Sequence, residues 1–369
     1  MAGTIGFQEL RYRVYVNDIF QNTLKILAIV TFLAFGFGVF GAALGWVLAI
    51  VSMPFLAFYF LEKKVFPIFN TRVRTVPVEK ELFFFSFPLI FASLAGLIMS
   101  WTDTLMLGYF CTPSEVGIYN AALPTARLLS MGAGAFGVIF MPVASELYAR
   151  GRIEDLRNIY SAVTKWIMST ILPLFLLMCL FSGAVMRILF GYEYITGASA
   201  LSILALGYFI SSLFGLSVPV LQSYGRTKII MISNFLGAGA NVALNYLLIP
   251  LYGVNGAAIA TALTITFMNL LYFLSTYRIT RMQPLKKSIF KTITASIASI
   301  LIVYPITRFI IGASMLSLSI MFIVFLALYF FFLLIFKSFE EEDLVIMRAI
   351  DQRLGTKTDW ARRIIQKFL

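Results

Sequence analysis

A chain of 369 residues that is 60% hydrophobic and only 12% charged carries about half the charge of a soluble domain, which runs to roughly 25%. No water-soluble fold of that length buries so much apolar surface, so the solvent for most of the chain is lipid. His is absent, which removes the usual proton shuttle and the commonest metal ligand, and the two cysteines, Cys111 and Cys179, stand far apart outside any CxxC motif, so no disulfide or thiol chemistry is expected.

The segment 1–18 shows no apolar core after its charges and does not read as a signal peptide. Apolar runs of roughly 20 residues qualify as spanning helices. Ten are predicted, at 19–38, 41–61, 82–108, 117–143, 167–187, 198–220, 228–250, 254–277, 289–311 and 314–336. The first two close into a hairpin through a turn at Gly38-Val39-Phe40. Between the fourth and fifth, Ser145 to Tyr160 sets Leu147, Ile153, Leu156 and Ile159 beside Arg150, Arg152 and Arg157, which predicts an interfacial loop helix. After the tenth, Ser338 to Glu341 reads as a capping box. Further on, Trp360, Ile364, Ile365 and Phe368 against Arg362, Arg363 and Lys367 predict either a basic amphipathic helix on the inner leaflet or a frayed polar tail. The fold class is all-α, a polytopic membrane protein.

Lys and Arg set the orientation. With the N-terminus cytoplasmic, the segments 1–18, 62–81, 144–166, 221–228, 278–291 and 337–369 hold 25 of the 29 basic residues. The outer loops then carry little beyond Glu115 and Glu193. This is the positive-inside asymmetry: it predicts a multi-pass protein of the cell membrane with both termini cytoplasmic. It also assigns the net charge of +12 to loops facing anionic lipid, and excludes nucleic acid as the partner.

One internal repeat is legible. Gly38-Val39-Phe40-Gly41-Ala42-Ala43 and Gly253-Val254-Asn255-Gly256-Ala257-Ala258 share G-V-x-G-A-A at a constant offset, each in the turn of a helix hairpin. Small residues there let backbones approach closely. The repeat divides the chain into 1–81, the last hairpin of a first lobe with its linker; 82–277, a complete six-helix lobe; 278–337, two additional helices; and 338–369, a cytoplasmic tail. On this reading four more helices, roughly 130 residues at the usual spacing of span plus loop, are expected before Met1.

Several segments then carry a family resemblance. Phe85-Ser86-Phe87-Pro88-Leu89 opens the third helix, followed by Trp101-Thr102-Asp103 through Leu107-Gly108. Val116-Gly117-Ile118-Tyr119-Asn120 runs on to Pro124 and Arg127, and the turn from Tyr252 to Ala258 completes the set. In this order and spacing the chain resembles the oligosaccharide (polysaccharide) flippase branch of the multidrug/oligosaccharidyl-lipid/polysaccharide exporter superfamily, from Gly6 to about Arg308. The resemblance implies two six-helix lobes, alternating access, and a polyprenyl-linked oligosaccharide as substrate. It departs from the pattern by lacking the first four helices. That leaves room for an upstream polypeptide supplying them, or for a truncated, non-functional fragment.

Ionisable groups inside a span cost roughly 2.5–3.5 kcal/mol on insertion scales and default to function. Arg127 suits the diphosphate of a lipid carrier, because a guanidinium forks onto phosphate oxygens; the alternatives are an ion pair with Asp103 and outward snorkelling. Asn120, one turn before Pro124, is the second candidate for substrate binding. Asn241 and Asn245 share one face of the seventh helix. With Thr261 on the eighth and Asp103 on the third, they form a candidate cation site for a coupling ion, Na+ or H+, with interhelical hydrogen bonding as the plainer alternative. No other cofactor or metal is expected, and no P-loop is present. The competing functions are a cation-coupled exporter of small organic molecules and a membrane glycosyltransferase or polymerase. The second would need carboxylates in a large outer loop, and the outer loops are only a few residues long, so the chain is not expected to be an enzyme.

Overall fold

The computed structural model describes residues 12, 14–66, 79–284, 287–307 and 315–338. Every regular element among them is helical, which is what lipid requires, since a helix satisfies its own backbone donors and acceptors. Eight helices are long and apolar enough to cross a membrane, and Ile289–Pro305 is a shorter apolar helix. The chain forms two compact units, Met1–Val78 and Glu79–Leu369.

In the first unit a π-helical turn, Val14–Phe20, runs into α1 (Gln21–Ala34), and α2 (Gly38–Phe60) ends in a second π-turn, Leu61–Val65. The reversal sits at Phe35 to Phe37, just before the predicted turn, because Gly36 and Gly38 adopt positive φ there (81° and 54°) and a helix restarts at Gly38. Gly41 and Gly45 then press α2 against α1. A Cβ on Gly45 would lie 2.7 Å from the backbone nitrogen of Ile29.

The second unit contains α3 (Glu79–Phe110), α4 (Pro113–Ala149), α5 (Ile153–Leu180) and the short α6 (Ser182–Phe190). After a 3-10 turn at Tyr192–Gly197 follow α7 (Ala198–Phe214), α8 (Ser217–Ser223), α9 (Thr227–Tyr252), α10 (Val254–Thr280), α11 (Lys287–Pro305) and α12 (Met315–Ile335). Its core is a set of fully buried side chains from α3, α4, α5 and α7, among them Leu107, Tyr119, Leu129, Tyr160 and Leu204. α9 packs most extensively against α3 and α10, while α11 lies against α12 and α5.

Three expectations are corrected. The predicted interfacial helix from Ser145 to Tyr160 is not a separate element: its residues belong to the last turn of α4 and the start of α5, and the chain reverses at Gly151 with φ 69°. Pairs at helical spacing, Arg150–Glu146 (2.8 Å) and Arg157–Glu154 (2.8 Å), support these helices beyond the apolar stretch. The fifth span stops at Leu180 and turns into α6. The sixth is broken at Gly215-Leu216 into α7 and α8. The predicted tail helix and the capping box beyond Ser338 lie outside the described residues.

The internal repeat has a counterpart in geometry. Gly253 opens α10 with φ 54°, the value of Gly38 at the head of α2. Gly256 stands where Gly41 does, so close to the Leu248 carbonyl on α9 that no Cβ fits. In both hairpins the second helix therefore meets the first through a glycine three residues past the turn.

Candidate functional site

Three helices converge on Asp103. The residue lies on α3, is 2% exposed, and makes no ion pair among the described residues. Its Oδ1 accepts from the side-chain amides of Asn245 (2.6 Å) and Asn241 (3.1 Å), which stand one turn apart on α9. Its Oδ2 accepts from the hydroxyls of Thr261 on α10 (2.5 Å) and Tyr119 on α4 (2.7 Å), and these two hydroxyls are 3.1 Å from each other. The four residues predicted to come together thus do so, and α4 adds a fifth. Tyr119 follows Asp103 across one short loop and belongs to the segment Val116 to Asn120 that carries the family resemblance. That placement was the signal available for it in the sequence.

The arrangement is uneven in an informative way. Asn241 and Asn245 are both fully buried, and each points its nitrogen at Asp103 while its Oδ1 has no hydrogen-bond partner. A buried acceptor without a partner costs about 1–3 kcal/mol, and two stand side by side. Turning either amide over exchanges donor for acceptor. With both turned, the carboxylate would be joined by two amide oxygens and two hydroxyl oxygens, the all-oxygen set that suits a hard cation. One carboxylate also leaves one uncompensated negative charge in an apolar setting, which a single monovalent cation balances. The donor set therefore fits Na+ on this chain's own chemistry.

Arg127 does not pair with Asp103. It lies on α4 two turns beyond Asn120, and its Nε donates to the hydroxyl of Tyr208 on α7 (3.0 Å). That bond tethers the guanidinium by its edge. Among the described residues no acceptor takes its two terminal nitrogens, and the side chain is exposed. The alternative of a pair with Asp103 fails for a simple reason: the carboxylate's lone pairs are already taken by four neutral donors. Asn120 is exposed and accepts from Thr104 on α3 (3.1 Å), so it joins neither Arg127 nor the buried cluster directly. Tyr208, the partner that orients Arg127, had no signal in the sequence beyond being a tyrosine in a span.

Lys165 is a further correction to placement. Assigned by sequence to an inner loop, it is buried in α5 and donates to the carbonyl of Ser338 just beyond α12 (3.1 Å). At the opposite end of the helices, Thr112 caps α4 in a reciprocal box with Glu115. In the same loop, burial and the Glu115 carboxylate push the Cys111 thiol up from its ordinary value.

Two family models match the chain: MatE over residues 88–247 and polysaccharide biosynthesis protein over residues 6–148. The uncharacterized membrane protein MJ1068 of Methanocaldococcus jannaschii is 30% identical over 222 residues, covering 59% of this chain and 44% of that protein. The probable low-salt glycan biosynthesis flippase Agl15 of Haloferax volcanii is 26% identical over 193 residues, covering 52% of this chain and 41% of that protein. The matches span less than half the length of these relatives. Among solved structures, the lipid II flippase MurJ in an inward closed conformation has a TM-score of 0.63 at 16% identity, covering 89% of this chain and 68% of that one. At that identity the likeness is one of fold.

Proposed function

We propose that the chain, matched by the MatE model over residues 88–247 and the polysaccharide biosynthesis protein model over residues 6–148, is a member of the multidrug/oligosaccharidyl-lipid/polysaccharide exporter superfamily that works in carrying a lipid-linked oligosaccharide across the cell membrane by alternating access. The observation that carries the proposal is Arg127. It is a permanent cation within a spanning helix, held by one edge against Tyr208, with its other N–H groups unengaged and exposed. A guanidinium held in this way is prepared for bidentate contact with a phosphate. The diphosphate of a polyprenyl carrier supplies such a group, and the family model named for polysaccharide biosynthesis points to the same substrate class.

The Asp103 cluster supplies the coupling in this reading. Asp103, Asn241, Asn245, Thr261 and Tyr119 hold the coupling ion, which we take to be Na+. One charge moved through 100 mV is worth about 2.3 kcal/mol, close to a fifty-fold bias at about 1.4 kcal/mol per decade. The basic ends of the helices, marked by Arg150, Arg226 and Arg278, face the cytoplasm, and the turn carrying Glu115 faces out. The chain transports and catalyses no bond change.

A second reading, cation-coupled export of small organic molecules, is favoured by the MatE match over residues 88–247. Expression of the chain in a flippase-deficient strain separates the two. Restored surface glycan that Arg127→Lys abolishes supports the flippase. Drug resistance without restored glycan replaces it with the exporter.

A further inference from the structure

The facing sides of α9 and α10 form a ladder of three rungs. At the first rung Asn245 and Asn241 meet Thr261 through Asp103. One turn further along α10 is Thr264, 1% exposed, whose hydroxyl has no hydrogen-bond partner. At the second rung Met268 fills the space over Gly237, its sulfur so close that no Cβ fits on that glycine. Ala92 and Ile230 belong to the same apolar cluster as Met268. At the third rung the polar groups return. Tyr272 donates to Asn234, and Asn234 donates to the carbonyl of Ala92 (2.9 Å).

Beyond the third rung the polar run continues. Thr276, fully buried, donates to the carbonyl of Ser217 (3.4 Å), whose own hydroxyl meets that of Tyr160 (3.0 Å). Ser217 opens α8 immediately after the break at Gly215-Leu216. Helix breaks at membrane depth are tolerated where the freed backbone is buried in protein or lines an ion or substrate path. Thr280 ends the run at the last turn of α10, beside Arg281. From Thr261 to Thr280 is roughly 28 Å at 1.5 Å per residue, about the thickness of the hydrocarbon core. A buried polar series crossing that depth, interrupted only where Met268 sits on Gly237, is more than helix–helix adhesion needs. The orphaned Thr264 hydroxyl makes no helix–helix bond at all.

We propose that this series is the lane by which the cation held at Asp103 passes to the Arg278 end of the lobe, and that Met268 is the plug that closes it. The inference rests on the reading of Asp103 as a cation site. In that lane Thr264 is the first oxygen a departing ion meets, and the Asn234–Tyr272 pair is the next. Met268 is unbranched and flexible, so it leaves Gly237 by rotamer change without moving a helix. A cation that leaves instead by the Glu115 end never meets Met268.

The test is exchange of 22Na+ on the purified full chain, with equilibrium binding measured on the same samples. Met268→Ala is expected to exchange bound 22Na+ about tenfold faster than wild type, with equilibrium affinity within about twofold, because the plug changes the path and not the site. Thr264→Val keeps the side-chain shape, removes a hydroxyl that bonds to nothing, and is expected to slow exchange several-fold. Met268→Ala exchanging at the wild-type rate, with binding intact, overturns the lane and leaves the Asp103 site standing. Should Met268→Ala not yield folded protein, Thr264→Val decides alone, and an unchanged rate there overturns the lane. A wild-type chain that binds no 22Na+ overturns the Asp103 reading and the lane with it.

Discussion

Replacing Asp103 by Asn removes the one formal charge of the buried cluster while keeping its shape. In the wild-type geometry the carboxylate takes donors from Asn245, Asn241, Thr261 and Tyr119 at 2.5–3.1 Å. An asparagine offers one oxygen in place of two and adds an NH2 group. That group meets the side-chain nitrogens of Asn241 and Asn245, so both amides must turn over to offer it the oxygens that lack partners in the wild type, while the two hydroxyls, 3.1 Å apart, satisfy each other. Interhelical hydrogen bonds in membranes average about 0.6 kcal/mol, so the net structural cost is about 1 kcal/mol and the variant folds. The ligand contribution behaves differently. A cation at about ten times its Kd stabilises the native state by about 1.4 kcal/mol through mass action alone, and only the wild type has it. Thermal melts of the purified chain in NaCl against choline chloride are expected to show a Na+-dependent rise for wild type and none for Asp103→Asn. The reasoning fails if both proteins gain equally from Na+, or if K+ stabilises the wild type as well as Na+ does.

Arg127→Lys is expected to lower glycan translocation about tenfold or more, since a charge-assisted fork contributes about 1.5–3 kcal/mol; the Na+-dependent melt stays unchanged, and complementation paired with that melt checks both. Tyr208→Phe frees the same guanidinium from its tether and is expected to cost less than Arg127→Lys in the same assay. Gly256→Val places side-chain atoms against the Leu248 backbone and is expected to destabilise the α9–α10 hairpin by about 3 kcal/mol or more, read as lost yield of folded protein. A membrane-impermeant maleimide is expected to label Cys111 from the outer side only. Because its thiol is raised and the thiolate is the reactive form, the rate keeps climbing with pH above about 8.5; labelling from the inside reverses the orientation.

Helix existence was legible because lipid admits few alternatives: a run of apolar residues long enough to span must satisfy its backbone internally. Helix ends were less so. The break at Gly215-Leu216 and the stop at Leu180 leave too little mark in hydropathy, since the few small or polar residues beside them, Ser182, Gly183, Ser212 and Ser217, do not interrupt an otherwise apolar run. The missing interfacial helix had the opposite cause, for amphipathic spacing in Ser145 to Tyr160 looks the same whether the residues form one helix or the ends of two. At the site, Asp103, Asn241, Asn245 and Thr261 were found because polar atoms stand out in an apolar span. Tyr119 and Tyr208 were not, because tyrosine is common in this chain, 17 residues in all, and mostly serves as an interface anchor. The alternative of an Arg127–Asp103 pair followed opposite charge at similar depth and overlooked that four neutral donors already occupy the lone pairs of the carboxylate.

The repeat sharpens what the buried cluster means. At the offset that carries Gly38 onto Gly253, the first hairpin places Ile26, Val30 and Trp46 where the second has Asn241, Asn245 and Thr261. The packing device is kept in both copies, with glycine at 38 and 253 for the turn and at 41 and 256 for the close approach. Only the polar groups differ. Were Asn241, Asn245 and Thr261 needed to hold two helices together, the same hairpin geometry at α1 and α2 would call for equivalents, and it stands without them. Burying a carboxylate against two amides with orphaned oxygens is costly in a way that small-residue packing is not. A cluster that the hairpin can do without, and that leaves two acceptors unpaired, is accounted for by a ligand that needs oxygen. On that argument the polar cluster of the second unit answers to the ligand proposed for it, and the first hairpin keeps the packing device alone.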